Sequence, residues 1–310
     1  MMDIVLSALD LTKRYGSFAA VDGISFEVRK GECFGFLGPN GAGKTTTMRM
    51  ITNHIPVTEG SLSVLGTQVM ANARKVKSSI GVVPQDNNLD TDLKVLDNLL
   101  VYSRYHAITR KVAHERAANL LDFFQLAEHA NSPIERMSGG MQRRLLIVRG
   151  LINEPQVLIL DEPTTGLDPQ ARHVIWQKLR ALQAQGVTLV LSTHYMDEAE
   201  QLCDRLVILD HGRILVEGSP KDLIRKHAGR EVLEIRLREG EDRDECLKII
   251  GGRLPDGAVA ECSADTLFLY VPDAGDAMGQ LDLDPGRTVL HRRATLEDVF
   301  LRLTGRDLRE

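Results

Sequence analysis

The sequence predicts an α/β fold with its binding residues at strand ends, followed by a small α+β appendage. Three stretches carry this prediction. Gly38-Pro39-Asn40-Gly41-Ala42-Gly43-Lys44-Thr45 fits G-x-x-x-x-G-K-[ST], the phosphate-binding loop. Val157-Leu158-Ile159-Leu160 is a continuous apolar run of strand length that ends in Asp161-Glu162, the signature of a central strand buried on both faces. From about residue 229 the chain breaks into short alternating pieces separated by Gly- and Pro-bearing turns. The expected division is therefore a first domain over 1–228 and an accessory domain over 229–310.

In chain order, residues 4–11 and 24–29 alternate and read as strands. Tyr15 lies between them and has two open readings: a platform for a base, or a tyrosine packed beside a hairpin turn. Cys33–Leu37 reads as a buried strand entering the phosphate loop. The loop glycines let the backbone curl so that its N–H groups face an anion. Lys44 offers a mobile positive charge to the β- and γ-phosphates, and the Thr45 hydroxyl is placed to reach Mg²⁺. The helix over Thr46–Ile51 points its N-terminal dipole at phosphate. Residues 56–66, with Pro56, Gly60 and Gly66, suggest a hairpin. Ile80–Pro84 is a further strand, and Gln85 at its end either reaches Mg²⁺ and the attacking water or simply caps the strand.

The region from about 86 to 150 is expected to be mostly helical, with apolar residues at three- and four-residue spacing in Val95–Tyr105, Val112–Leu121 and Gln142–Ile152. Ser138-Gly139-Gly140 opens the last of these helices, as a plain N-cap or as a second anion site. Asp161 and Glu162 then stand where open α/β sheets place ligands; such a pair after a strand can be a simple turn, but the phosphate loop upstream favours a catalytic reading. Asp161 would hold Mg²⁺ through its water shell, and Glu162 would polarise the attacking water. Gly166–Pro169 is a turn, 170–184 a helix and Val187–Ser192 a buried strand. His194 follows at the same sheet edge, either to contact the γ-phosphate and fix Glu162 or as a structural histidine. Strands at 206–209 and 213–216 flank the turn Asp210-His211-Gly212, and Ser219-Pro220 starts a short helix.

In the appendage, Val232–Leu237 alternates like an exposed strand, 243–250 looks helical and 266–271 alternates again. Thr295-Leu296-Glu297-Asp298 reads as a capping box. Leu296, Val299, Phe300 and Leu303 share one helical face, and Gly305 is the expected stop.

Bulk properties bound the function. The formal net charge is −5 and the pI about 6.0, so no general attraction to nucleic acid is implied. Cys33, Cys203, Cys246 and Cys262 are scattered and form no C-x-x-C pair, which argues against a zinc site or a disulfide framework. No basic region followed by an apolar stretch marks the N-terminus, so no signal peptide is expected. No apolar run approaches the ~18 residues of a membrane span, so a membrane role must go through a partner.

The ordered set Tyr15, Gly38–Thr45, Gln85, Ser138-Gly139-Gly140, Leu160-Asp161-Glu162-Pro163, Gly166-Leu167-Asp168 and His194 resembles the ATP-binding cassette of ABC transporters, over about residues 4–225. The resemblance implies a P-loop NTPase of ABC type: a RecA-like core, an antiparallel β subdomain and a helical subdomain at about 86–153, with the α+β domain behind. It implies ATP held by Gly38, Pro39, Asn40, Gly41, Ala42, Gly43, Lys44, Thr45 and Thr46, with Tyr15 as adenine platform and Mg²⁺ near Thr45, Gln85 and Asp161. Glu162, His194 and Gln85 would serve hydrolysis. It also implies two cassettes packed head to tail as a homodimer. Ser138, Gly139 and Gly140 of one would then bind the γ-phosphate held by the other, and Asp168 would link the two sites.

The commonest family signature is Leu-Ser-Gly-Gly-Gln, whereas here it is Met137-Ser138-Gly139-Gly140-Met141. Met141 lacks the side-chain amide, and Gln142 and Arg143 are the open candidates to compensate. Ser138–Leu145 and the tail Thr295–Gly305 are similar to bacterial exporters of the drug-resistance and nodulation-factor type; Glu162–Arg172 followed by Trp176 is similar to the nodulation-factor branch. That type implies a separate multispan permease, export of a drug, lipid or glycolipid, and a place on the cytoplasmic face of the bacterial inner membrane. The competing assignments are an importer ATPase, disfavoured by the tail, and a soluble ABC-type ATPase acting on ribosome or DNA. A single cassette, the acidic balance and the absence of a long coiled-coil insertion disfavour the latter.

Overall fold

The computed structural model describes residues 3–238, 240–255, 257–263, 265–280 and 287–305. Met1 and Met2, and residues 306–310 at the end of the expected accessory domain, lie outside the described residues. The chain forms two compact units, Met1–Val216 and Glu217–Glu310.

In the first unit, β1 (Ile4–Tyr15) and β2 (Phe18–Arg29) form an antiparallel hairpin. Both run well beyond the alternating stretches expected from the sequence. Register shifts between Ala8 and Leu11 and again before Lys13 break the period-two pattern while the ladder continues. The chain proceeds through β3 (Cys33–Leu37), α1 (Lys44–Ile51), β4 (Glu59–Val64), β5 (Thr67–Gln68), α2 (Ala73–Ser79) and β6 (Ile80–Val83). Three helices follow, α3 (Val95–Tyr105), α4 (Arg110–Phe123) and α5 (Gly139–Leu151). Then come β7 (Val157–Asp161), α6 (Pro169–Ala184), β8 (Thr188–Thr193), α7 (Met196–Leu202), β9 (Arg205–Asp210) and β10 (Arg213–Gly218), whose last two residues fall past the boundary at Val216.

One sheet has the order β2-β1-β4-β5 and the other β10-β9-β3-β8-β7-β6. Within the second, β3, β8, β7 and β6 run parallel, and every residue of β3, β7 and β8 is buried. A layer on each face accounts for these continuous apolar runs. Phe26 of β2 meets Phe36 of β3 edge to face at 4.9 Å, and Phe34 meets Phe36 at 5.4 Å, so both sheets share one core. The parallel arrangement brings the C-terminal ends of β3, β6, β7 and β8 to one edge. Leu37 pairs with Thr193, Asp161 with Ser192 and Val83 with Leu160.

The second unit holds α8 (Pro220–His227), β11 (Glu231–Arg236), α9 (Arg243–Gly251), β12 (Val259–Ser263), β13 (Thr266–Val271), α10 (Ala274–Gln280), β14 (Val289–Arg293) and α11 (Leu296–Thr304). Its sheet runs β12-β13-β11-β14 and is antiparallel. The reading of Val232–Leu237 as an exposed strand is corrected here. β11 is an interior strand, and Val232, Leu233 and Ile235 are fully buried. Leu233 and Ile235 join Leu267, Leu269 and Ile250 in one core, whereas the adjacent Val232 points to the opposite face, which is also covered. α11 packs against α8 and begins with the expected capping box, Thr295 with Asp298; Gly305 ends it at φ 70°.

Candidate functional site

The site grows from the turn between β3 and α1. At Gly43, φ is 104°, and a Cβ there would stand 2.6 Å from the Ala20 carbonyl. A Cβ on Gly38 would stand 2.2 Å from the Leu209 carbonyl, so neither position admits a side chain. Lys44 is buried and donates from Nζ to the carbonyls of Gly38 (2.8 Å) and Pro39 (2.9 Å). Its Nζ is 3.8 Å from Glu162 Oε1. Burial pulls the Lys44 ammonium below its usual pKa, and the carboxylates of Glu162 and Asp161 oppose that pull.

Asp161 ends β7. Its Oδ1 accepts from Ser192 Oγ and, at 3.4 Å, from Thr45 Oγ1. Burial pushes its carboxyl above the usual range, the Ser192 hydroxyl pulls it back, and Glu162 raises it again. Glu162 sits in the left-handed region at φ 47°, which a non-glycine residue holds only where its surroundings fix it. Its N–H donates to both the carbonyl and the hydroxyl of Ser192, each at 3.1 Å. Its Oε2 accepts from Thr165 Oγ1 at 2.9 Å and from Gln85 Nε2 at 3.3 Å. His194 Nδ1 lies 3.3 Å from Oε1, within ion-pair reach but out of line for a hydrogen bond. His194 is the foremost cause holding Glu162 below the usual carboxylate range; burial opposes it, and the Thr165 hydroxyl and Lys44 assist.

The structure thus gathers Lys44, Thr45, Gln85, Asp161, Glu162 and His194 at one sheet edge. Pro39, Asn40, Gly41 and Ala42 complete the loop, and Thr46 follows in the first turn of α1. Ser138, Gly139, Gly140 and Asp168 are gathered elsewhere, around a second cleft that Met141, Arg144, Gly166 and Gln170 also line. Ser138 caps α5 by accepting from Met141 N, and Asp168 caps α6 by accepting from Ala171 N. Tyr15 is 51% exposed at the end of β1, with Lys13 Nζ 5.1 Å from its ring centre; it packs into no core.

Neither candidate replacement for the missing amide faces this second cleft. Gln142 turns away, donating to the carbonyls of Ile134 and Met137, and Arg143 is buried beneath the sheet edge. Arg144 is the basic side chain that lines the cleft. Sequence reasoning also missed Ser192 and Thr165, the hydroxyls that fix Asp161 and Glu162. It missed Glu198 as well, fully buried and accepting from Thr164 Oγ1 (2.7 Å) and Trp176 Nε1 (3.1 Å). Only inter-strand register, invisible in a linear motif, could have pointed to Ser192.

Residues 21–165 match the family of ABC transporters, and residues 255–305 match the C-terminal domain of the nodulation factor export protein NodI. The chain is 45% identical to Nod factor export ATP-binding protein I of Ralstonia nicotianae, over 99% of this chain and 95% of that one. It is 47% identical to the protein of the same name from Burkholderia orbicola, over 97% of each. Among solved structures it is similar to an ATP-binding subunit of an ABC transporter (TM-score 0.66, 28% identity, 78% of this chain and 97% of that one). It is also similar to a dimeric bacterial ABC transporter cassette (TM-score 0.64, 27% identity, 69% and 98%).

Proposed function

Because the chain belongs to the ABC transporter family and is the ATP-hydrolysing subunit of an exporter, we propose that it works in pairs, with ATP–Mg²⁺ between two copies, to drive a separate multispan permease. In this reading the phosphate loop and Lys44 hold the phosphate chain. Thr45, Gln85 and Asp161 would hold Mg²⁺; a hydroxyl, an amide and a carboxylate are the hard oxygen donors that ion takes. The carboxyl of Asp161, raised by burial, is also a group that a nearby cation would favour in its charged form. Mg²⁺ bound there supplies charge neutralisation at the phosphoryl oxygens.

Glu162 is the proposed general base. Held below the usual carboxylate range, it is ionised at neutral pH and able to take a proton from water. Gln85, Thr165 and His194 orient its two oxygens, and His194 is also poised toward the γ-phosphate end. Tyr15, exposed and flat, is the proposed adenine platform. Ser138, Gly139 and Gly140 would meet the γ-phosphate carried by the second copy, with Asp168 at the same interface. Their separation from the first site within one copy supports this reading, as does the dimeric cassette among the related structures.

No helix among the described residues is long and apolar enough to cross a membrane. The proposed docking face is the groove lined by His54, Lys77, Tyr102 and Tyr105, where Tyr105 is 81% exposed. The place of action would be the cytoplasmic face of the bacterial inner membrane. The names of the relatives support a Nod-factor-like glycolipid as cargo. The ATP-binding domain would occupy about 1–228, followed in the sequence by an accessory domain over about 229–310.

The observation that carries the reading is Glu162, met by Gln85, Thr165, His194 and Lys44 at the phosphate-loop edge. Glu162→Gln is expected to lower ATP turnover by about 10²–10⁴, the usual contribution of a general base, while ATP binding survives. With ATP, this variant should elute from gel filtration as a dimer. Near-native turnover would remove Glu162 from its role, and a persistent monomer would count against the sandwich. Affinity purification from detergent-solubilised membranes should recover a stoichiometric multispan protein; recovery with ribosomes instead would reassign the partner.

A further inference from the structure

Arg143 uses its whole hydrogen-bonding capacity on the backbone of the site. A guanidinium offers five N–H groups. Here Nε donates to Pro163 O (2.7 Å), Nη1 to Pro84 O (2.6 Å) and Gln85 O (3.1 Å), and Nη2 to Asp161 O and Glu162 O (both 2.8 Å). Every acceptor is a carbonyl, and the side chain is 6% exposed. We propose that Arg143 is a positioning residue for ATP hydrolysis: from α5, the helix that Ser138 caps, it sets the backbone that carries Gln85 and Glu162. This rests on the roles given above to those two residues.

The geometry favours a positioning role over a simple strut. The five carbonyls belong to two strand ends, those of β6 and β7, and Arg143 joins both to a third element. Two of them belong to Gln85 and Glu162 themselves, whose side chains meet at 3.3 Å. Glu162 has the left-handed φ of 47° that needs outside support. The same helix also grips the segment after β6 through Asn87 Nδ2 to Gln142 Oε1 and Arg149 Nη1 to Asn88 O. Arg143 extends that grip to the end of β7. Displacing α5 would therefore move the general base and the glutamine together. Lysine keeps the charge but has three donors on one nitrogen, so it cannot span both strand ends.

The test uses the full chain with Arg143→Lys, which keeps the charge, and with Arg143→Met, which fills similar space while removing every donor. Melting, kcat and KM for ATP are measured, alone and combined with Glu162→Gln. The expected result is a folded protein with kcat down about 10–10²-fold, as a small misplacement of reacting groups costs. KM should stay within about threefold, because the phosphate loop is untouched. In the Glu162→Gln background the further loss should be clearly smaller than in the native background, since an absent base cannot be misplaced and only the shift of Gln85 is still felt.

The proposal is overturned by a folded variant with near-native kcat, by losses that multiply in full with Glu162→Gln, or by failure of both variants to fold, which would make Arg143 a residue of the fold alone. If Glu162→Gln itself keeps native turnover, the reading of the site has failed. If Glu162→Gln loses turnover and a folded Arg143→Met keeps it, only the positioning role has failed.

Discussion

Each unit ties an arginine into its fold, and the two are held in opposite ways. Arg143 of the first unit meets only uncharged carbonyls, and burial lowers its guanidinium to about 10, still protonated at neutral pH. Arg292 of the second unit donates to both oxygens of Asp298 (2.7 and 2.8 Å) and to Glu234, and Asp298 foremost holds it above its ordinary value. Carbonyls fix geometry without cancelling charge. Carboxylates cancel it. The first arrangement suits a region where strand ends must be aimed at a reaction; the second fastens a fold and leaves nothing unbalanced for chemistry.

The largest effect on stability should therefore lie in the second unit. Asp298 is 1% exposed, and it also accepts from Thr295 N in the cap of α11. Arg292→Ala strands this carboxylate in a dry site and should cost about 3 kcal/mol, at the lower end for a broken buried pair because Arg292 is itself part-exposed. Chemical denaturation would measure it. Turnover per folded molecule should stay within about twofold. A loss of turnover without a loss of stability would break the comparison by giving the Arg292 cluster a catalytic task.

The site in the first unit should show the reverse sign. Asp161 carries a carboxyl pKa raised by burial, so ionising it disfavours the folded state. Its contribution to stability is fully present below the unfolded value of 3.8 and is lost as pH rises through the raised folded value. Asp161→Asn removes that loss and keeps acceptors for Ser192 and Thr45. At pH 7 without nucleotide it should stabilise the protein by about 1 kcal/mol, as relaxing a functional site commonly does, while turnover falls. The gain should vanish near pH 3. Thermal melts at the two pH values decide this, and a destabilised variant at pH 7 would show that Asp161 serves the fold after all.

The same contrast explains what could be read in the sequence. The phosphate loop and the Val157–Glu162 strand were legible because each is contiguous and each conformation follows from its own residues. The meeting of Lys44, Gln85, Asp161, Glu162 and His194 was legible because parallel strands deliver their ends to one edge. Ser192 and Thr165 were not, since they reach Asp161 and Glu162 only through inter-strand register and a tight turn. Arg143 reads as one more polar residue after the glycines, and only the fold turns it inward. α2 and α7 escaped because each is a helix of only seven residues, too short for a helical period to declare itself. β11 misled because Val232-Leu233-Glu234-Ile235 alternates well enough to look half-exposed, whereas both faces are covered.

Two helix caps give the finest version of the comparison. Thr295 is tied to Asp298 within the Arg292 cluster, while Ser138 caps α5 at the exposed rim of the second cleft with a single bond to Met141 N. Ser138→Ala should cost about 1 kcal/mol of stability, and Ser138→Gly only a few tenths, because glycine leaves the first turn open to water. If Ser138 also meets phosphate from a second copy, the two variants should part company with their stability effects. Both would weaken ATP-dependent dimerisation of the Glu162→Gln protein by a similar factor, since both remove the same hydroxyl. Dimerisation that instead tracks stability, strong in Ser138→Gly and weak in Ser138→Ala, would reduce Ser138 to a cap like Thr295.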